Sequence, residues 1–151
     1  MTSINTPLES ALESPWENWG PYCEFIALLT YDEFNLASHG SCDPSPVFAI
    51  LLDTFNDRAG PENRGCLLAG AAACVCKLGS RVRDHIVSRS WSLDDVWEQD
   101  VSVVSWEVWL GWSERFKGFA KDGSQSRETK KQASQAAVAM IPKSYREAAR
   151  V

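Results

Sequence analysis

The stretch Cys66-Leu-Leu-Ala-Gly-Ala-Ala-Ala-Cys-Val-Cys76 decides the fold. It belongs to a predicted helix over residues 62–87 and is apolar on every side, as is a helix surrounded by other helices. Glycines such as Gly70 cost on the order of 1 kcal/mol each in helix propensity, so we expect neighbouring backbones to approach closely there. These eleven residues are far fewer than the roughly 20 that cross a membrane. They predict the buried centre of a helical domain.

Amphipathic helices are predicted on both sides of this centre. They cover residues 21–34, 45–60, a short segment after Ser92, residues 102–120 and residues 125–140. The expected core stripes are Tyr22, Phe25, Ile26 and Leu29 in the first helix, Phe48, Leu51, Leu52 and Phe55 in the second, and Trp109, Trp112, Phe116 and Phe119 in the helix over residues 102–120. Only residues 101–104 resemble a strand. We therefore predict an all-α, single-domain bundle of about six helices over residues 1–151, with residues 1–14 frayed and residues 142–151 as a tail.

The charge distribution excludes one class of partner. The net charge is −5, and an acidic chain lacks the basic excess from which most nucleic-acid affinity derives. Residues 1–57 hold nine acidic and no basic residues, whereas the remainder holds fifteen basic and eleven acidic residues. Either the acidic segment packs on the basic one, within the chain or across a homodimer, or both are solvated faces of opposite sign.

The start of the chain and its cysteines indicate a compartment. The first residues have neither a basic start nor an apolar run, so we expect no secretory signal, no membrane segment and a cytoplasmic location. Five cysteines form an odd set, and in a reducing compartment they are expected to be free thiols.

Motifs for metals and cofactors are weak. Cys74 and Cys76 form C-x-C, but residues two apart on a helix point away from one another, which favours structural thiols over a metal site. Asp94-Asp95-Val-Trp-Glu98 resembles the magnesium-binding motif of terpene synthases over five residues only. The acids also follow Ser92, in the first turn of a predicted helix, where the helix dipole favours them. No phosphate-binding glycine loop, nucleophile elbow or zinc motif is present, so no cofactor and no metal are expected.

The candidate site residues are aromatic or titratable. Five of the seven tryptophans fall between residues 91 and 112. They either form core or line an apolar pocket for a hydrophobic small molecule. The expected substrate-binding residues are Trp91, Trp97, Trp106, Trp109 and Trp112. The candidates for proton transfer or hydrogen bonding are His85, Glu98 and Glu107.

The C-terminal half resembles a known group of proteins. Ser105-Trp-Glu-Val-Trp-Leu-Gly-Trp-Ser-Glu-Arg-Phe-Lys117, followed by residues 124–140, resembles the closing segment of a large family of uncharacterised fungal helical proteins. In that family a W-x-x-W-x-x-R-F-like helix precedes an alanine-rich helix, and the resemblance covers about residues 65–141. It implies a helical fold and a fungal source, and it implies no activity.

Two functions remain open from the sequence. The first is a cofactor-independent enzyme of fungal secondary metabolism, a cyclase, isomerase or pericyclase such as a Diels–Alderase. Such chemistry needs only a shaped apolar cavity and one or two hydrogen-bond donors. The second is a non-catalytic helical interaction or regulatory protein. An enclosed apolar cavity beside the indoles would favour the enzyme.

Overall fold

The computed structural model describes residues 18–36, 43–56, 63–92 and 103–145. Six helices and two short strands occupy these ranges, which confirms the predicted all-α fold. In chain order they are α1 (Trp19–Leu36), α2 (Ser45–Phe55), α3 (Arg64–Leu78), α4 (Ser80–Val87), β1 (Trp91–Ser92), β2 (Val103–Val104), α5 (Trp106–Ala120) and α6 (Arg127–Ala139).

Helix α3 lies at the centre of the bundle, as its small residues predict, but it is not buried on every side, because Cys66 and Cys76 are exposed. It packs against α1 and α6, and α5 packs against α6 in turn. The buried residues of α3 are Leu67, Leu68, Gly70, Ala71, Ala72, Cys74, Val75 and Leu78. Cys74 is buried and Cys76 is exposed, as expected for residues two apart on a helix. Burial raises the pKa of the Cys74 thiol to about 12.

Gly70 marks the closest approach of α1 to α3. A β-carbon at this position would lie 2.5 Å from Cδ1 of Trp19 and 3.1 Å from Sγ of Cys23. The indole N–H of Trp19 donates a hydrogen bond to the carbonyl oxygen of Leu67 at 3.1 Å, which holds the ring against the glycine. The absence of a side chain at residue 70 therefore lets α1 pack on α3.

The predicted single helix over residues 62–87 is wrong, because it is broken at Gly79. This residue has φ of +86°, a conformation that glycine adopts without steric cost. Helices α3 and α4 are bent by 97° at the break. Within the described ranges, no single helix has the length and apolar character to span a membrane. Helices α3 and α4 have the required length and apolar character only when the two are taken together as a bent pair.

The predicted core stripe of α1 is also largely wrong. The helix begins two residues before the predicted start, with Pro21 in its first turn, where proline is tolerated. Of the predicted stripe only Ile26 is buried, while Tyr22, Phe25 and Leu29 are exposed. The face packed against the core comprises Trp19, Cys23, Ile26, Ala27, Thr30 and Phe34. The second apolar face of α1 is left on the surface.

Helix α2 has the predicted start and core face, but it ends at Phe55, five residues before the predicted end. Asp43 accepts a hydrogen bond from the N–H of Ser45 at 3.0 Å, and Pro46 occupies the first turn, where its missing N–H costs nothing. The buried residues include the whole predicted stripe, Phe48, Leu51, Leu52 and Phe55. The period of apolar residues therefore identified the packed face of α2.

Two serine caps define a helical hairpin at the C-terminal end of the described chain. Ser105 Oγ accepts from the N–H of Val108 at the start of α5, and Ser126 Oγ accepts from the N–H of Thr129 at the start of α6. Helices α5 and α6 begin directly after these caps, four and two residues beyond the predicted starts. Between them, Ser113 Oγ donates to the carbonyl oxygen of Ala137 at 2.9 Å.

The strand candidate of the sequence is confirmed in part. Residues Val103–Val104 pair antiparallel with Trp91–Ser92, so that Trp91 faces Val104 across a two-stranded ladder. This pairing brings Trp91 from the end of α4 to the start of α5.

Candidate functional site

The candidate site of the sequence centres on the indoles of α5. Trp109 and Trp112 lie on one face of this helix, with ring centroids 6.2 Å apart. Phe48 of α2 contacts both rings, at 6.4 Å from Trp109 and 6.1 Å from Trp112, and it also lies 6.4 Å from Trp91. Phe48 is fully buried and Trp109 is only 1% exposed. The rings therefore fill the space between α2 and α5 with each other.

Two of the indoles, Trp91 and Trp109, direct their N–H groups at backbone carbonyls. The N–H of Trp109 donates to the oxygen of Met140 at 2.7 Å, and the N–H of Trp91 donates to the oxygen of Ile86 at 2.8 Å. Because an indole has only one donor, neither group is free to orient a ligand. This is the geometry of a packed core, and the prediction that these indoles line a substrate pocket stays a prediction.

Trp106 and Glu107 of the predicted site lie outside this cluster. Trp106 is half-buried and stacks on Tyr145, with ring centroids 4.6 Å apart. Glu107 is exposed in the first turn of α5, where its Oε2 lies 3.4 Å from the hydroxyl of Ser105. A carboxylate in a first helical turn is favoured by the helix dipole whatever the function. Trp97 and Glu98 lie outside the described residues.

His85 is the predicted catalytic residue with the most unusual surroundings. Its ring lies 5.4 Å from Phe34 and 5.5 Å from Trp91. Nε2 is buried and has no hydrogen-bond partner among the described residues. Two guanidinium groups flank this aromatic row, Arg81 over Phe34 at 5.5 Å and Arg89 over Trp91 at 4.0 Å. Burial, and then the charge of Arg89, lower the pKa of His85.

The lowered pKa of His85 predicts a pH dependence of stability. The unfolded chain takes up a proton near pH 6.5, whereas the folded chain resists protonation until a lower pH. The contribution of His85 is therefore fully present above pH 6.5 and is lost as the pH falls from there through the folded pKa. We expect the free energy of unfolding to fall more steeply below pH 6.5 in the wild type than in His85→Gln. Equal slopes in urea titrations would contradict the burial of the ring.

Described residues line two surface clefts that lie away from the indole cluster. One, of about 320 Å³, is lined by Glu114, Arg115, Gly118, Phe119 and Asp122. The other, of about 380 Å³, is lined by Arg83, Asp84, Val87, Ser88, Pro142, Lys143, Ser144 and Tyr145. Both are open to solvent, and no tryptophan is among the described residues that line them. Within the described ranges, no group of three His, Cys, Asp or Glu side chains could hold a metal ion.

Among the described helices and strands, α1 carries the most large apolar side chains that are exposed. The side chains of Phe25, Leu28 and Leu36 are 60%, 54% and 85% exposed, respectively. We call the α1 apolar face the set Tyr22, Phe25, Leu28, Leu29 and Leu36, all of which are exposed. Spacings of three or four residues link the first four positions, and Leu36 lies seven residues, two helical turns, beyond Leu29. They therefore form one stripe opposite the face that packs on α3. Apolar surface grouped in this way marks binding sites.

Comparisons with known proteins found no match for this chain among family models, curated proteins or solved structures. The resemblance of residues 65–141 to the fungal helical proteins stays a prediction.

The spacing of apolar residues in the α1 apolar face is recognisable in the sequence, but it predicts a buried stripe and not an exposed one. Tyr22, Phe25 and Leu29 have the spacing of a buried stripe, and so do Trp19, Cys23 and Ile26 on the other side. The pattern does not distinguish the two sides. In the structure Trp19 lies against Gly70 of α3, and this close contact places its side of α1 in the core.

Proposed function

We propose that the protein is a non-catalytic helical interaction protein that binds its partner through the α1 apolar face. The observation that carries the proposal is the exposure of five apolar side chains along one side of an 18-residue helix whose other side is core. A helix with two apolar sides is normally covered on both of them. Here α3 covers one side and leaves the other for a partner.

The packing of the indoles supports the same proposal. Trp109 and Trp112 contact each other and Phe48, and the N–H of Trp109 is bonded to the backbone of Met140. This arrangement stabilises the contact of α5 with α2 and α6. It leaves the α1 apolar face as the described feature most suited to binding.

A photo-crosslinking experiment tests the proposal. A benzophenone amino acid is placed at residue 25 in the cells that make the protein, with a control at residue 134, an exposed serine of α6. We expect a discrete protein adduct from residue 25 and none from residue 134. The adduct should disappear when Leu29 and Leu36 are both changed to Glu. Identical adducts at both positions, or none at residue 25, would reject a binding role for the α1 apolar face.

A second candidate function retains one observation in its favour. The ring of His85 lies beside that of Trp91, and its buried Nε2 has no hydrogen-bond partner in the part of the chain that the structure describes; a neutral imidazole can transfer a proton. This fits the cofactor-independent cyclase or isomerase of fungal secondary metabolism, acting on a hydrophobic small molecule. Failure of the crosslinking experiment would make this second candidate the better proposal.

A further inference from the structure

The α1 apolar face has the spacing of a helix–helix seam. Tyr22, Phe25, Leu29, Asp32 and Leu36 follow one another at intervals of three, four, three and four residues. This is the heptad pattern through which one helix packs along another. At 1.5 Å per residue the stripe is about 21 Å long, which matches a partner helix of about four turns.

The charges on α1 indicate the sign of the charge that the partner carries. Helix α1 carries Glu24, Asp32 and Glu33 and has no Lys or Arg. Glu24 already pairs with Lys77 at 3.0 Å. Within the described ranges, neither Asp32 nor Glu33 has an ion pair, and Asp32 lies within the seam itself. Because covering a carboxylate without a compensating charge is costly, the occupant has to bring a cation to this position.

We therefore propose that the α1 apolar face binds a basic amphipathic helix of another protein, with a Lys or Arg side chain facing Asp32. This inference rests on the proposed function and names the chemistry of its partner. A second copy that paired through its own α1 would bring the apolar stripe but no cation, because α1 is acidic. Residues 1–17 hold three Glu and no basic residue, so they lack the required charge as well.

Peptide binding to the full-length protein tests the charge requirement. The probe is a fluorescent 15-residue helical peptide with Leu at heptad spacing, Lys at the position facing Asp32 and Lys on its flanks. The matched control peptide has Glu in place of every Lys. We expect fluorescence anisotropy to show binding of the basic peptide at least tenfold tighter than that of the acidic one. The Asp32→Lys variant should remove or reverse this preference.

A matched variant separates local from general electrostatics. Glu128→Lys makes the same change of charge at an exposed position of α6, away from the stripe, and should leave the preference intact. The proposal is overturned if both peptides bind equally, if neither binds, or if the two variants behave alike. It is also overturned if sedimentation shows a dimer that Phe25→Glu dissociates, since the face would then belong to a second copy. A crosslink from residue 25 with no charge preference would retain the proposed function and reject only the basic partner.

Discussion

Replacing Trp109 with alanine is expected to lower the free energy of unfolding by about 3–5 kcal/mol. The ring is 1% exposed and packs on Phe48 and Trp112 at 6.4 and 6.2 Å. Its removal leaves a cavity between α2 and α5, and it leaves the carbonyl oxygen of Met140 without its donor at 2.7 Å. Urea denaturation followed by circular dichroism at 25 °C measures the loss.

Two further variants make this result interpretable. Trp109→Phe keeps an aromatic ring but removes the N–H, so it should cost about 1–3 kcal/mol, the range for a buried acceptor left unpaired. Trp106→Ala removes an indole that is only half-buried, and the loss should be clearly smaller than for Trp109→Ala. If Trp109→Ala retained full stability, the ring would not be core, and the pocket interpretation of the indoles would gain support.

Gly70→Ala is expected to destabilise the protein by about 1–3 kcal/mol, the usual cost of overpacking. The new methyl group would lie 2.5 Å from Cδ1 of Trp19, so the ring or the whole of α1 would have to move. Alanine also gains about 1 kcal/mol of helix propensity, and this gain offsets only part of the clash. Thermal or urea unfolding, together with the fluorescence of the tryptophans, would report both the loss of stability and the displacement.

Gly111→Ala is the matched control for this substitution. Gly111 lies inside α5, is exposed, and would place its new methyl group in open space. Here only the helix propensity acts, so the free energy of unfolding should rise by roughly 0.5–1 kcal/mol. An increase in both variants would mean that Trp19 moves aside without cost and that α1 is not held tightly on α3.

The packed face of α2 and the central position of α3 could be predicted, because the apolar residues of each helix are consistent with only one placement in the bundle. In α2 the apolar residues Phe48, Leu51 and Phe55 define a single side. In α3 every side is apolar, which predicts burial all round, but the structure leaves Cys66 and Cys76 exposed. Helix α1 has two apolar sides. The choice between them depends on the shape of α3 at Gly70, which a one-dimensional period does not contain.

The break at Gly79 and the arrangement of the site depend on long-range packing. A glycine within an apolar run costs only about 1 kcal/mol, so the pattern does not distinguish a continuous helix from two bent ones. The shared face of Trp109 and Trp112 follows from their spacing of three residues. The acceptor of the Trp109 N–H lies 31 residues away, and nothing near Trp109 in the sequence indicates it.

The hairpin of α5 and α6 has a consequence for how the protein opens. The carbonyl groups of Ala137 and Met140 stand at the C-terminal end of α6, where a helix has no donors of its own. Ser113 and Trp109 of α5 supply those donors across a connection of only six residues, 121–126. Each helix thus completes the hydrogen bonding of the other, and closing so short a loop costs little entropy. In amide hydrogen exchange the two helices should lose protection together, as one cooperative unit of the native state.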